Sequence, residues 1–140
     1  MGRIDMKATD LMIGDWVLIN NIPHKIQAID SIDAEIQADD EIYYVGEDRC
    51  HSEDKIEGIP LTPEILEKNG FVFDSDFWTI ADPRYNNVRM VTYYSTDDYV
   101  ADAFLGHWAF DENYAIDYVH ELQHALRLCG LNELADNFKI

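Results

Sequence analysis

A short segment near the C-terminus carries a residue pattern that is typical of metal-dependent hydrolysis. His120, Glu121 and His124 form the sequence H-E-x-x-H, which in zinc peptidases places two imidazoles one helical turn apart. Both imidazoles can then reach one Zn²⁺, and the glutamate can act as a base toward the metal-bound water. On its own, the motif indicates a minimal zinc-dependent hydrolase.

The rest of the sequence does not readily complete such a site, because a catalytic zinc needs a third protein ligand. The 16 residues after His124 contain no histidine, and their only carboxylates are Glu133 and Asp136. The metzincin continuation H-x-x-G-x-x-H is also absent. His107 and His51, both upstream, are the remaining candidates. We therefore expect no catalytic residue, no metal ligand and no cofactor. The alternative is a zinc site in which His120 and His124 bind the metal and Glu121 acts as the base.

The motif lies in residues 114–131, the clearest helix that the sequence predicts. Asp111 or Asn113 can cap its start, and Gly130 can end it. A period of 3.6 residues places the apolar positions on one broad stripe that should pack against the core. That stripe consists of Ala115, Tyr118, Val119, Leu122, Ala125, Leu126 and Cys129. The two motif histidines fall on the opposite side, so we expect both of them to face water.

The remaining elements predict an α+β fold. Short alternating segments with turns at Asn20–Asn21 and Asp39–Asp40 indicate four or five strands, forming an SH3-like small β-barrel or a bent antiparallel sheet. Thr62 and Asn69–Gly70 delimit a short linking helix. Strands resume after it and form a second antiparallel β-sheet, on which the C-terminal helix packs. We expect an N-terminal extension at residues 1–5, a β-rich barrel-like subdomain at 6–60 and an α+β subdomain at 61–140. The alternative is that the two subdomains form one compact domain.

Composition limits the classes of partner. The 140 residues include 28 acidic and 10 basic side chains, a formal net charge of -18, and the basic residues are scattered along the chain. No basic stripe is present to bind phosphates, so direct nucleic-acid binding is not expected. No apolar run approaches the length of a membrane span. Two distant cysteines are typical of reduced thiols in a cytosolic protein. We expect a cytoplasmic protein with a protein partner and no membrane contact; its oligomeric state stays open.

Three motifs, in order along the chain, also carry a resemblance. They are MKATDLMIGDWV at residues 6–17, IPLTPEILEKNGF at 59–71 and YVHELQ at 118–123. With them the chain resembles a family of short uncharacterised proteins of gut Bacteroides-type bacteria and their phages or mobile elements. The final helix of that family reads Y-V-H-x-L-Q without an obligatory second histidine. The resemblance thus implies that His124 is incidental, and it implies a fold and a lineage rather than an activity.

Three functions fit these observations. The first is a small acidic soluble protein that acts without catalysis, as an accessory or interaction protein. The second is the minimal zinc-dependent hydrolase that uses the HELQH motif. The third is an acidic DNA mimic that inhibits a DNA-binding protein, which the net charge of -18 allows. We expect the first.

Overall fold

The computed structural model describes residues 10–30, 33, 35–44, 55–74, 77–80, 82, 84, 88–92, 99–104, 107–108 and 115–140. The chain divides into two compact units, Met1–Ile59 and Pro60–Ile140. The predicted α+β fold class is confirmed: the chain forms small antiparallel sheets together with a few helices. Along the described part of the chain, no helix has the length and apolar character that a membrane crossing requires.

In the first unit, the described residues form six short strands in two antiparallel sheets. The strands are β1 (Trp16–Ile19), β2 (Ile22–Lys25), β3 (Ala28–Asp30), β4 (Glu35–Ala38), β5 (Glu41–Tyr44) and β6 (Ile56–Gly58). One sheet has the order β2-β1-β6 and the other the order β3-β4-β5. Between β2 and β3 the backbone hydrogen bonds change partner: Ile26 donates its N–H to the carbonyl of Asp15, and Gln27 donates its N–H to the carbonyl of Gln37. The chain thereby passes from one sheet to the next.

The described strands form no closed barrel, so the bent antiparallel sheet replaces the SH3-like barrel. The two predicted turns are confirmed. Asn20 and Asn21 have φ values of 52° and 68°, and Asp39 and Asp40 have 51° and 65°. Two consecutive left-handed residues match the right-handed twist of the strands they join, and Asn and Asp tolerate that backbone better than most residues.

The described part of the second unit has three helices and six strands. Its helices are α1 (Pro63–Lys68), α2 (Val119–Leu128) and α3 (Asn132–Asp136). Its strands are β7 (Phe71–Asp74), β8 (Phe77–Ile80), β9 (Arg89–Thr92), β10 (Tyr99–Phe104), β11 (His107–Trp108) and β12 (Ala115–Ile116). They form one antiparallel sheet of order β11-β10-β9-β8-β7, and β12 pairs with β10 beside it.

Helix α1 begins and ends as the sequence predicts. The Thr62 hydroxyl accepts a hydrogen bond from the N–H of Ile65 at 3.3 Å, and Pro63 occupies the first helical position. After the helix, Gly70 adopts a φ of +86°, which suits a residue without a Cβ atom.

The long C-terminal helix is shorter than predicted. Ala115 and Ile116 pair with Val100 and Tyr99 of β10, so the chain is still extended there and α2 starts at Val119. The predicted caps, Asp111 and Asn113, lie outside the described residues. The predicted end is correct: Gly130 has a φ of +80°, and the Leu131 N–H reaches back to the carbonyl of Leu126 at 2.8 Å. Gly130 and Leu131 thus form a Schellman ending.

Candidate functional site on helix α2

The carboxylate of the HELQH motif binds the backbone at the start of α2. One oxygen of Glu121, Oε1, accepts hydrogen bonds from the N–H groups of Asp117 and Tyr118, each at 3.0 Å. Glu121 is the third residue of the helix and Tyr118 is its N-cap. The first N–H groups of a helix lack partners within the helix, and negative charge is favourable there. Glu121 therefore makes the glutamate half of a capping box.

The two motif histidines lie against each other and against a tyrosine. The rings of Tyr118 and His120 stack with an interplanar angle of 14° and centroids 5.8 Å apart. The rings of His120 and His124 meet edge to face, with centroids 5.6 Å apart. The two imidazoles are therefore neighbours on one turn, as the i, i+4 spacing requires.

The expected exposure of this cluster is wrong for two of its members. His120 is buried, with 7% of its surface exposed, whereas Tyr118 is 38% exposed. Tyr118 has extended backbone angles (φ −125°, ψ 154°), so it precedes the helix and the 3.6-residue period does not apply to it. His120 is covered in part by the stacked Tyr118 ring.

The buried face of α2 is wider than the predicted stripe. Val119, Leu122, Ala125, Leu126 and Cys129 are buried as predicted. Gln123 is also fully buried, and its side-chain Nε2 donates to the carbonyl of Ala135 in α3 at 3.0 Å. Helix α3 thus packs on a second side of α2, which a single apolar stripe does not reveal. The polar residue type at position 123 concealed this contact.

The described residues do not bring a third metal ligand to the two histidines. Within them, no group of three His, Cys, Asp or Glu side chains is placed to hold a metal ion. Asp136, one of the predicted candidates, forms an ion pair with Arg127, with 3.5 Å between Nε and Oδ1. His51 and the side chain of His107 lie outside the described residues.

Sequence reasoning also missed the role of Asn69. Its side-chain Nδ2 donates to the carbonyls of Ile65 and Lys139 at 2.8 and 2.9 Å, and its Oδ1 accepts the N–H of Lys139 at 2.7 Å. Asn69 therefore ends α1 and also holds the last residues of the chain, beside the buried Phe138. An Asn-Gly pair after a helix predicts where the helix ends, but it does not predict the contact between Asn69 and Lys139.

Comparison with known proteins gives no significant match to a family model, to a curated protein or to a solved structure.

Proposed function

We propose that this protein is a non-enzymatic accessory protein that acts by binding another protein through its surface. The observation that carries the proposal is the capping role of Glu121. The zinc-hydrolase alternative needs this carboxylate as a base toward a metal-bound water. Its Oε1 atom instead accepts two backbone N–H groups, and the neighbouring His120 is buried beneath a tyrosine ring.

We further propose a cytoplasmic location and no direct nucleic-acid binding. The support for both is compositional: the net charge of -18 repels phosphates, and two distant cysteines are typical of a reducing compartment. The lineage among Bacteroides-type bacteria and their phages or mobile elements is likewise a proposal, supported by the three motifs described above.

Two substitutions at one position test whether the motif carboxylate is a cap. Glu121→Gln keeps an oxygen that can accept both N–H groups, since Gln serves at this position of a capping box, but it removes the basic carboxylate. Glu121→Ala removes the acceptor. We expect Glu121→Gln to keep the wild-type free energy of unfolding within about 0.5 kcal/mol, and Glu121→Ala to lower it by about 1 kcal/mol.

Urea titration followed by circular dichroism measures these free energies. If Glu121→Ala is as stable as the wild type, Glu121 is not a cap, and the main support for a non-enzymatic protein is lost. His124→Ala is the matched control, because it shortens a partly exposed side chain on the same helix and leaves the cap intact.

A further inference from the structure

Strand β7 (Phe71–Asp74) is an edge strand of the six-stranded sheet. It pairs with β8 in antiparallel register and, among the strands that the structure describes, with no other. An antiparallel ladder uses the N–H and C=O groups of alternate residues, so every second residue of β7 directs these groups away from β8. These main-chain groups can accept one further strand.

The side chains of β7 are unusually apolar for such an edge. Val72 is 45% exposed and Phe73 is 53% exposed, and successive residues point to opposite faces of the sheet. The Phe73 ring lies against the ring of Trp78 in β8, with centroids 5.3 Å apart, so its position is defined. Both faces next to the edge therefore offer an apolar contact to an added strand.

Two other edge strands that the structure describes have features that protect against strand addition. Edge strands of soluble proteins are commonly very short, or carry Pro or Lys. Strand β11, at the other end of the same sheet, has two residues, and β2 carries Pro23 and Lys25. The β7 sequence FVFD has neither Pro nor Lys. Its two largely exposed residues, Val72 and Phe73, are adjacent and both apolar.

Charge decides which strand fits this edge. The Pro60–Ile140 unit has 14 acidic and 5 basic residues, which gives a net charge of −9. The helix that contacts this strand, α1, carries two acidic residues, Glu64 and Glu67, and one basic residue, Lys68. A second copy of the chain would bring the same charge and be repelled, whereas a cationic segment is attracted.

We propose that β7 is a docking edge that binds an extended segment of another protein by strand addition. The segment carries β-branched or aromatic residues opposite Val72 and Phe73, because such cross-strand pairs stabilise a sheet, and it carries Lys or Arg at its ends. This inference rests on the proposed function and names the surface through which that function operates.

Selection from a phage-displayed library of random peptides, each about ten residues long, tests the inference with the full chain as target. We expect the enriched peptides to alternate apolar and polar residues and to carry Lys or Arg. Their affinity should fall at least about tenfold with Val72→Lys, which places a charge at the edge. Ile42→Lys is the matched control: Ile42 is 62% exposed on β5, and the change in net charge is the same.

A measurement on the wild-type chain keeps the test valid if Val72→Lys disturbs folding. Binding of an enriched peptide should slow amide hydrogen exchange in Phe71–Asp74 and leave β5 unchanged. No enriched peptide, equal binding to Val72→Lys and Ile42→Lys, or no added protection in β7 would overturn the inference. A dimer of the chain that Val72→Lys abolishes would also overturn it, in favour of a second copy. Each of these failures leaves the Glu121 result untouched and so separates this inference from the proposed function.

Discussion

At the scale of single residues, the position of a side chain relative to the helix start decides what it does. Glu121 is three residues from the N-cap Tyr118, and at that position its carboxylate satisfies two backbone N–H groups. In the middle of a helix the same side chain would project outward and be available for chemistry. The capping role of Glu121 therefore follows from the start of α2 at Val119.

The thiol of Cys129 shows the same dependence on surroundings. Burial raises the pKa of Cys129, because an apolar environment disfavours the thiolate. In a Cys50→Ser chain at pH 8, we expect iodoacetamide to modify native Cys129 at least about tenfold more slowly than in urea. Mass spectrometry of timed samples measures both rates, and equal rates would contradict the burial of this thiol.

The raised pKa also predicts the sign of a pH effect. The unfolded chain loses the thiol proton at lower pH than the folded chain, so unfolding is favoured as pH rises toward the native pKa of Cys129. The free energy of unfolding of Cys50→Ser should therefore fall more steeply in alkaline solution than that of Cys50→Ser with Cys129→Ala. Parallel declines in the two variants would show that another group is responsible.

At the scale of elements, short polar contacts decide where helices and turns begin and end. Thr62 and Gly70 delimit α1, and paired left-handed residues close two hairpins. These features were predictable because each depends on the conformational preference of one or two residues. The start of α2 was not, since the two-residue strand β12 is specified by pairing with distant Tyr99 and Val100. That error placed Glu121 inside a helix and concealed its cap.

The contact between Asn69 and Lys139 gives a prediction at this scale. Asn69→Ala removes three hydrogen bonds, two of them to the backbone of Lys139. We expect a loss of about 1–2 kcal/mol in the free energy of unfolding, and faster hydrogen exchange at the Lys139 amide. The matched control is Asn137→Ala, which removes the side-chain hydrogen bond to the Glu133 carbonyl and leaves Lys139 in place. Unchanged exchange at Lys139 in Asn69→Ala would contradict this role.

At the scale of the whole molecule, composition and strand pattern predicted the fold class but not the use of each surface. Each unit carries 14 acidic and 5 basic residues, so the negative charge is shared evenly between them. Alternating segments predicted strands, and the strand order then made β7 an edge. Strand order depends on pairing between distant segments, and the one-residue alternation that marks a strand carries no information about its neighbours.

The most direct test of the central claim is the response of the whole, untagged protein to zinc. If Glu121 is a helix cap and the two motif histidines bind no metal, purified protein should contain no stoichiometric zinc by elemental analysis. Equimolar zinc should likewise leave its melting temperature unchanged, because only a ligand that binds the native state stabilises it. A chain with His120→Ala and His124→Ala controls for binding elsewhere. One zinc per chain, with a rise in melting temperature that this double substitution abolishes, would contradict the account and support the hydrolase.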